Sequence, residues 1–179
     1  WASFVDAHTG ELLNVHNQIR FTTGTVFGEH DTRSPNGDMS VSEMPFVYLS
    51  SDDDSGRADV DGDFNLTGDT FLATLNGTYF EANNQAGPDG SLNFSGSEAT
   101  WTSENATQAE LSSYVFLHHV WEWGELYAPE VSITNSKIVT NVNIDSACNA
   151  YYDGDVNFYQ SGSGCNNTGR IADVNYHEW

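Results

Sequence analysis

Residues 17–104 hold no apolar pattern with the period of a helix, and this most limits what the chain can fold into. Short β-branched or aromatic runs recur there instead: Ile19–Thr23, Thr25–Phe27, Phe46–Leu49, Asp63–Leu66, Thr70–Leu75, Thr78–Ala82 and Ser91–Phe94. Turn-forming clusters part them, at Ser34–Gly37, Asp61-Gly62, Asn76-Gly77 and Gly87–Gly90. Short runs punctuated this way read as an antiparallel sandwich or a small barrel. Asn76-Gly77 is the clearest two-residue hairpin turn, because both residues accept positive φ.

The flanks read differently. Ahead of this region, Phe4-Val5, the turn Asp6–Gly10 and the extended Leu12, Leu13 and Val15 make a hairpin over residues 1–16. Beyond it, Asn105 with Gln108 three residues on suits a capping box. From there Leu111, Tyr114, Val115, His118 and Trp121 share one helical face, and Phe116, Val120, Trp123 and Tyr127 share another. Two apolar faces predict a helix over 105–127 buried on most sides, stopped by Gly124 and Pro129. Ser136–Ile144 alternates as a strand, Asp155–Tyr159 is another, and a last helix from about Ile171 carries His177 and Glu178. The expected class is α+β and β-rich, in three parts: a hairpin at 1–16, a β-sandwich-like module at 17–104, and a sheet-and-helix part at 105–179.

Charge narrows the partners. Against 26 Asp and Glu there are 5 Lys and Arg, a net charge of -21. Phosphates would be repelled, so nucleic acid and anionic membranes are excluded as partners. No run nears the ~20 apolar residues of a membrane span. Cys148 and Cys165 bracket a Gly/Ser/Asn-rich segment. Joined, they would close a loop worth about 3 kcal/mol and fit an extracellular, oxidising setting; two free buried thiols remain the alternative.

His177-Glu178 carries the most specific chemistry. It is the opening of a helical His-Glu-x-x-His zinc motif. The first His is a neutral metal ligand, and the adjacent Glu binds no metal but acts as general base toward water. The second His would fall at position 181, one turn further on the same face and two residues beyond Trp179. Asp173, near the start of that helix, suits the positive end of its dipole.

The segment Asn149-Ala-Tyr-Tyr152, followed by Asp-Gly, a short strand and then Asp173-Val-x-x-His177-Glu178, resembles the thermolysin-like and fungalysin-like zinc metallopeptidases, and most closely the bacterial fungalysin-like group. The resemblance implies that Asn149, Ala150 and Tyr151 form an edge strand holding an extended protein or peptide substrate by strand addition. It implies His177 as first zinc ligand, Glu178 as general base, and Asp173 at a position that ligates calcium in some thermolysin-like enzymes. Val5–Leu13 resembles the final hairpin of the pro-segment such enzymes carry, which implies a pro-segment interaction in the parent protein. Asp59–Phe64 with Phe71–Tyr79 resembles a carboxypeptidase-regulatory-like β-module. The implied function is a secreted zinc endopeptidase.

Several pieces of that family's pattern are missing. The second His, the third ligand (a more distant Glu) and the helical lobe forming the far wall of the cleft are not in the chain, so it reads as an inactive fragment with exposed apolar surface around Trp121 and Trp123. The competing reading is a non-catalytic extracellular β-sandwich that binds calcium or glycan, with His177-Glu178 a coincidence. A zincin of another branch, with a third His soon after the motif, is the other alternative. Asp52–Asp54 with Asp59, Asp61 and Asp63 reads as a solvated turn, because Gly62 falls wrongly for an EF-hand loop and no Glu closes it. His118 and His119 point to different faces of their helix and read as core or surface residues.

Overall fold

The computed structural model describes residues 2–16, 19–130 and 136–179. Its class is α+β and β-rich, with 42% strand and 18% helix, so sheets set the frame and helices fill against them. The opening hairpin forms from β1 (Ala2–Val5) and β2 (Leu12–His16). Asp6 builds its turn by accepting from the N–H groups of His8 and Thr9. Phe4, Val5, Leu12, Leu13 and Val15 stay exposed.

Nine strands follow: β3 (Phe21–Asp31), β4 (Met39–Glu43), β5 (Tyr48–Ser50), β6 (Ser55–Arg57), β7 (Asp63–Thr67), β8 (Thr70–Thr74), β9 (Phe80–Asn84), β10 (Ser91–Ser95) and β11 (Glu98–Trp101). Long β3 pairs antiparallel with β7 through its first half and with β4 through its second. It also pairs with β11, and that pairing is parallel. A second sheet, all antiparallel, runs β10-β8-β5-β6. Alternation along β7 and β8 turns Phe64, Leu66, Phe71 and Ala73 inward, where they join Val26, Leu49, Leu92 and Trp101 in one core.

After β11 comes α1 (Gln108–Tyr127), then β12 (Ile138–Ile144), β13 (Ala150–Tyr152), β14 (Val156–Tyr159) and α2 (Ala172–Glu178). The cap of α1 is Thr107, not Asn105. Thr107 accepts from the Glu110 N–H, and Glu110 accepts from the Thr107 N–H, at 3.3 and 2.7 Å. Asn105 instead accepts from the N–H of Thr102 in the preceding turn. The helix is buried on all sides from Ala109 to His118, and its far end is open, with Trp123, Leu126 and Tyr127 exposed. Trp121 departs from the expectation: it is buried, stacked on Tyr79 with ring centroids 4.1 Å apart. Gly124 does not stop the helix. A side chain there would collide with the ring of Trp179, so this glycine is where the two helices meet.

A third sheet runs β13-β14-β12-β9. β9, β12 and β14 are parallel, and β13 is an antiparallel edge. Asn76-Gly77 therefore does not make the expected two-residue hairpin. β8 and β9 belong to different sheets, and a bridge between Asn76 and Glu81 joins them, flanked by hydrogen bonds from the Gly77 N–H to the Phe80 carbonyl and from the Ala82 N–H to the Leu75 carbonyl. Gly77 is needed there because an added Cβ would strike the Tyr114 hydroxyl of α1. The β9–β12 pairing runs one sheet across the boundary drawn at residue 104, and Leu111, Tyr114 and Val115 of α1 complete the core of the first two sheets. The other side of α1, with Leu117 and Trp121, packs on Phe80, Ile138, Val142, Val156 and Phe158.

Candidate functional site

Three segments converge where the third sheet meets α2. Cys148 and Cys165 form a disulfide with Cα atoms 5.3 Å apart, which ties the lead-in of β13 to the loop ahead of α2 and removes the free-thiol alternative. Just inside that link, the Thr168 hydroxyl accepts from the Tyr159 N–H at 2.8 Å and donates to the Asn149 carbonyl at 3.0 Å. One side chain thus pins the start of β13, the end of β14 and the 3-10 turn Thr168–Arg170. β13 pairs in register Ala150 to Phe158, Tyr151 to Asn157 and Tyr152 to Val156. As the last strand of its sheet it leaves its outer edge unpaired among the described residues. Asn149, Tyr151 and Tyr152 are exposed and Ala150 is half-buried.

α2 lies against both β13 and α1. Ala172 and Asn175 face inward, Val174 and Trp179 pack on the core beneath, and Tyr176 meets the edge of Phe116 at 6.1 Å. This spacing leaves His177 exposed and Glu178 half-buried on the side open to solvent. The edge strand and the helix that carries the His-Glu pair, separated in sequence, are in contact.

Four residues not foreseen from the sequence fix the approach to α2. Asp31, at the end of β3, is fully buried. Its carboxylate accepts from Arg170 through Nε and a terminal nitrogen at 2.9 and 2.8 Å, and from the Ser112 hydroxyl of α1 at 2.8 Å. Asp31 holds the Arg170 guanidinium above its usual pKa, chiefly through that hydrogen bond. The fourth is Arg33, whose carbonyl accepts from Ala172 N–H at 2.9 Å while its guanidinium pairs with Asp173 at 2.8 Å. Scarcity was the available signal: with 5 cations in 179 residues, two are spent on the start of one short helix. Asp173, carried over as a calcium position, is thus engaged by Arg33.

Zinc needs three protein ligands, and the residues present do not supply them. His177 offers one imidazole, and no group of three or more His, Cys, Asp or Glu side chains stands together among the described residues. The acidic loop at 59–63 behaves as a turn, with Asp59 accepting from the N–H groups of Asp61 and Asp63. Of the paired histidines, His118 is core and His119 is exposed. Burial pushes the His118 imidazole down to about 3. No helix among the described residues is long and apolar enough to cross a membrane. No protein-family model matches the chain, and no curated protein matches it.

Proposed function

We propose that this chain supplies the peptide-binding edge strand, one zinc ligand and the general base of a secreted zinc endopeptidase of the fungalysin-like kind. The observation that carries the reading is the placement of β13 beside α2. β13 holds Ala150 and Tyr151, and α2 holds His177 and Glu178, so the two elements that the resemblance pairs are in contact.

An extended peptide added along the outer edge of β13 would hydrogen-bond to its backbone, and the exposed Asn149 side chain is free to meet that peptide's amides. Strand addition of this kind sets the substrate chain parallel to the sheet and within reach of α2. His177 would be one metal ligand, and a His four positions on in a helix would fall on the same face. Zinc, when bound, supplies a Lewis acid for the scissile carbonyl. Glu178, half-buried at the end of α2, would take up the proton of the attacking water and pass it to the leaving amine. The disulfide and the scarcity of Lys and Arg support a secreted setting.

Glu178→Gln in the full-length protein tests this assignment. Peptide hydrolysis should fall by roughly 10²–10⁴-fold, the usual contribution of a general base, while bound zinc measured by atomic absorption is unchanged. Full hydrolysis in that variant would remove Glu178 from the mechanism. A residue other than His at position 181 of the parent sequence would remove the zinc motif itself.

A further inference from the structure

The second sheet of the β-module differs chemically from the rest of the protein. Its strands read Ser-Leu-Asn-Phe-Ser, Thr-Phe-Leu-Ala-Thr, Tyr-Leu-Ser and Ser-Gly-Arg, with no Asp or Glu, in a chain that carries 26. The strands of the first sheet contain Glu29, Asp31, Glu43, Asp63 and Glu98. Phe71, Ala73, Leu49 and Leu92 of the second sheet point into the core, so its outward face carries the intervening side chains. The pairing register sets Asn93 beside Leu72, Leu72 beside Ser50, and Ser95 beside Thr70. A cleft of about 540 Å³ opens on this row, with Leu72, 38% exposed, among its lining and Asp52 beside it.

The polar groups of the cleft fall into two kinds. Ser51 is saturated by its own loop, donating to the Thr67 carbonyl and accepting from the N–H groups of Asp53 and Asp54. The side chains of Ser50, Thr70, Asn93 and Ser95 bond to nothing within the described residues, so three hydroxyls and one amide are left around one apolar surface. Hydroxyls and amides both donate and accept, without charge. A cation would call for more carboxylates than the single Asp52, an anion would be repelled by the net charge of -21, and a protein partner would call for more apolar area than Leu72 and half-buried Phe94 offer, Phe71 being buried. A neutral sugar matches, since it presents hydroxyls at its rim and C–H groups on its face. We infer that this cleft binds a neutral oligosaccharide, with Asn93 and Asp52 bonding the sugar hydroxyls and Leu72 taking the apolar face. The inference stands on the β-module alone and does not rest on the peptidase reading.

Isothermal titration of the whole chain with cellohexaose, maltohexaose and chitohexaose, and with polygalacturonate as an anionic comparison, tests it. At least one neutral hexasaccharide should bind saturably, and polygalacturonate should bind far more weakly. Asn93→Ala and Leu72→Ala should each weaken binding about tenfold, the effect of one lost contact, with an unchanged thermal midpoint by circular dichroism. Absence of saturable binding by all three neutral sugars at millimolar concentration would overturn the inference. So would equal affinity for polygalacturonate, or unchanged affinity in the double variant.

Discussion

Asp31 shows how much one buried residue organises. It is the last residue of β3 in the β-module, yet its partners are Ser112 on α1 and Arg170 just ahead of α2. A buried carboxylate is tolerable only when its oxygens are filled, and here guanidinium and hydroxyl fill them. Removing one partner leaves an uncompensated charge, so Arg170→Leu should cost about 3–5 kcal/mol, measured by urea unfolding. Arg33→Leu, which breaks the exposed pair with Asp173, should leave the urea midpoint almost unchanged, because solvent screens that pair. Equal losses in the two variants would mean that the buried pair does not anchor α2. The pattern around Arg170 could not be read beforehand, because its partner stands 139 positions away and no local rule links them.

At the scale of elements, β13 depends on contacts from outside its own sheet. It is three residues long, paired on one side only among the described residues, and held at its entrance by the disulfide and by Thr168. Reduction of Cys148–Cys165 should remove about 3 kcal/mol of loop-closure stabilisation. Amide exchange should speed up first at Ala150–Tyr152, while β9 and β12 inside the sheet remain protected. Uniform exchange across all four strands after reduction would show that the link stabilises the sheet as a whole. Elements themselves were largely legible: the opening hairpin, the central helix, the strand at 138–144 and the last helix lie where apolar spacing and turn residues put them. Ends and pairings were less so. Asn105 and Thr107 both suit a cap, and the choice fell to Thr107 because Glu110 stands three residues on and also accepts from the Gly90 N–H. Asn76-Gly77 has hairpin chemistry, but the strand after it finds a better partner in β12.

For the molecule as a whole, α1 joins the β-module core to the third sheet, and His118 sits at its centre. The imidazole bonds to the Tyr114 carbonyl through Nδ1 at 2.8 Å and lies among Phe46, Phe80 and Tyr114. Burial holds its folded pKa near 3 against an ordinary 6.5, so it is neutral when folded and takes a proton when unfolded. The sign follows: its contribution is full above pH 6.5 and is lost progressively as pH falls toward 3, by roughly 1 kcal/mol per pH unit for one proton. The imidazoles of buried His30 and of His119 on α1, both lowered chiefly by desolvation, act in the same direction. The thermal midpoint should therefore drop between pH 6 and 4.5, before Asp6 and Asp54, whose ordinary value is 3.8, begin to titrate. His118→Phe should flatten that drop; an unchanged slope would locate the pH dependence elsewhere. By itself the sequence determined the strand-rich class, the position of the long helix, the solvated acidic surface and the two short motifs, since these follow from local spacing and charge. Only the tertiary structure decided that β9 leaves the module for another sheet, that Gly124 and Trp179 dock the helices, and that β13 touches α2. The reason is that sheet partners and buried ion pairs are chosen by packing between residues far apart in the chain, which local patterns do not encode.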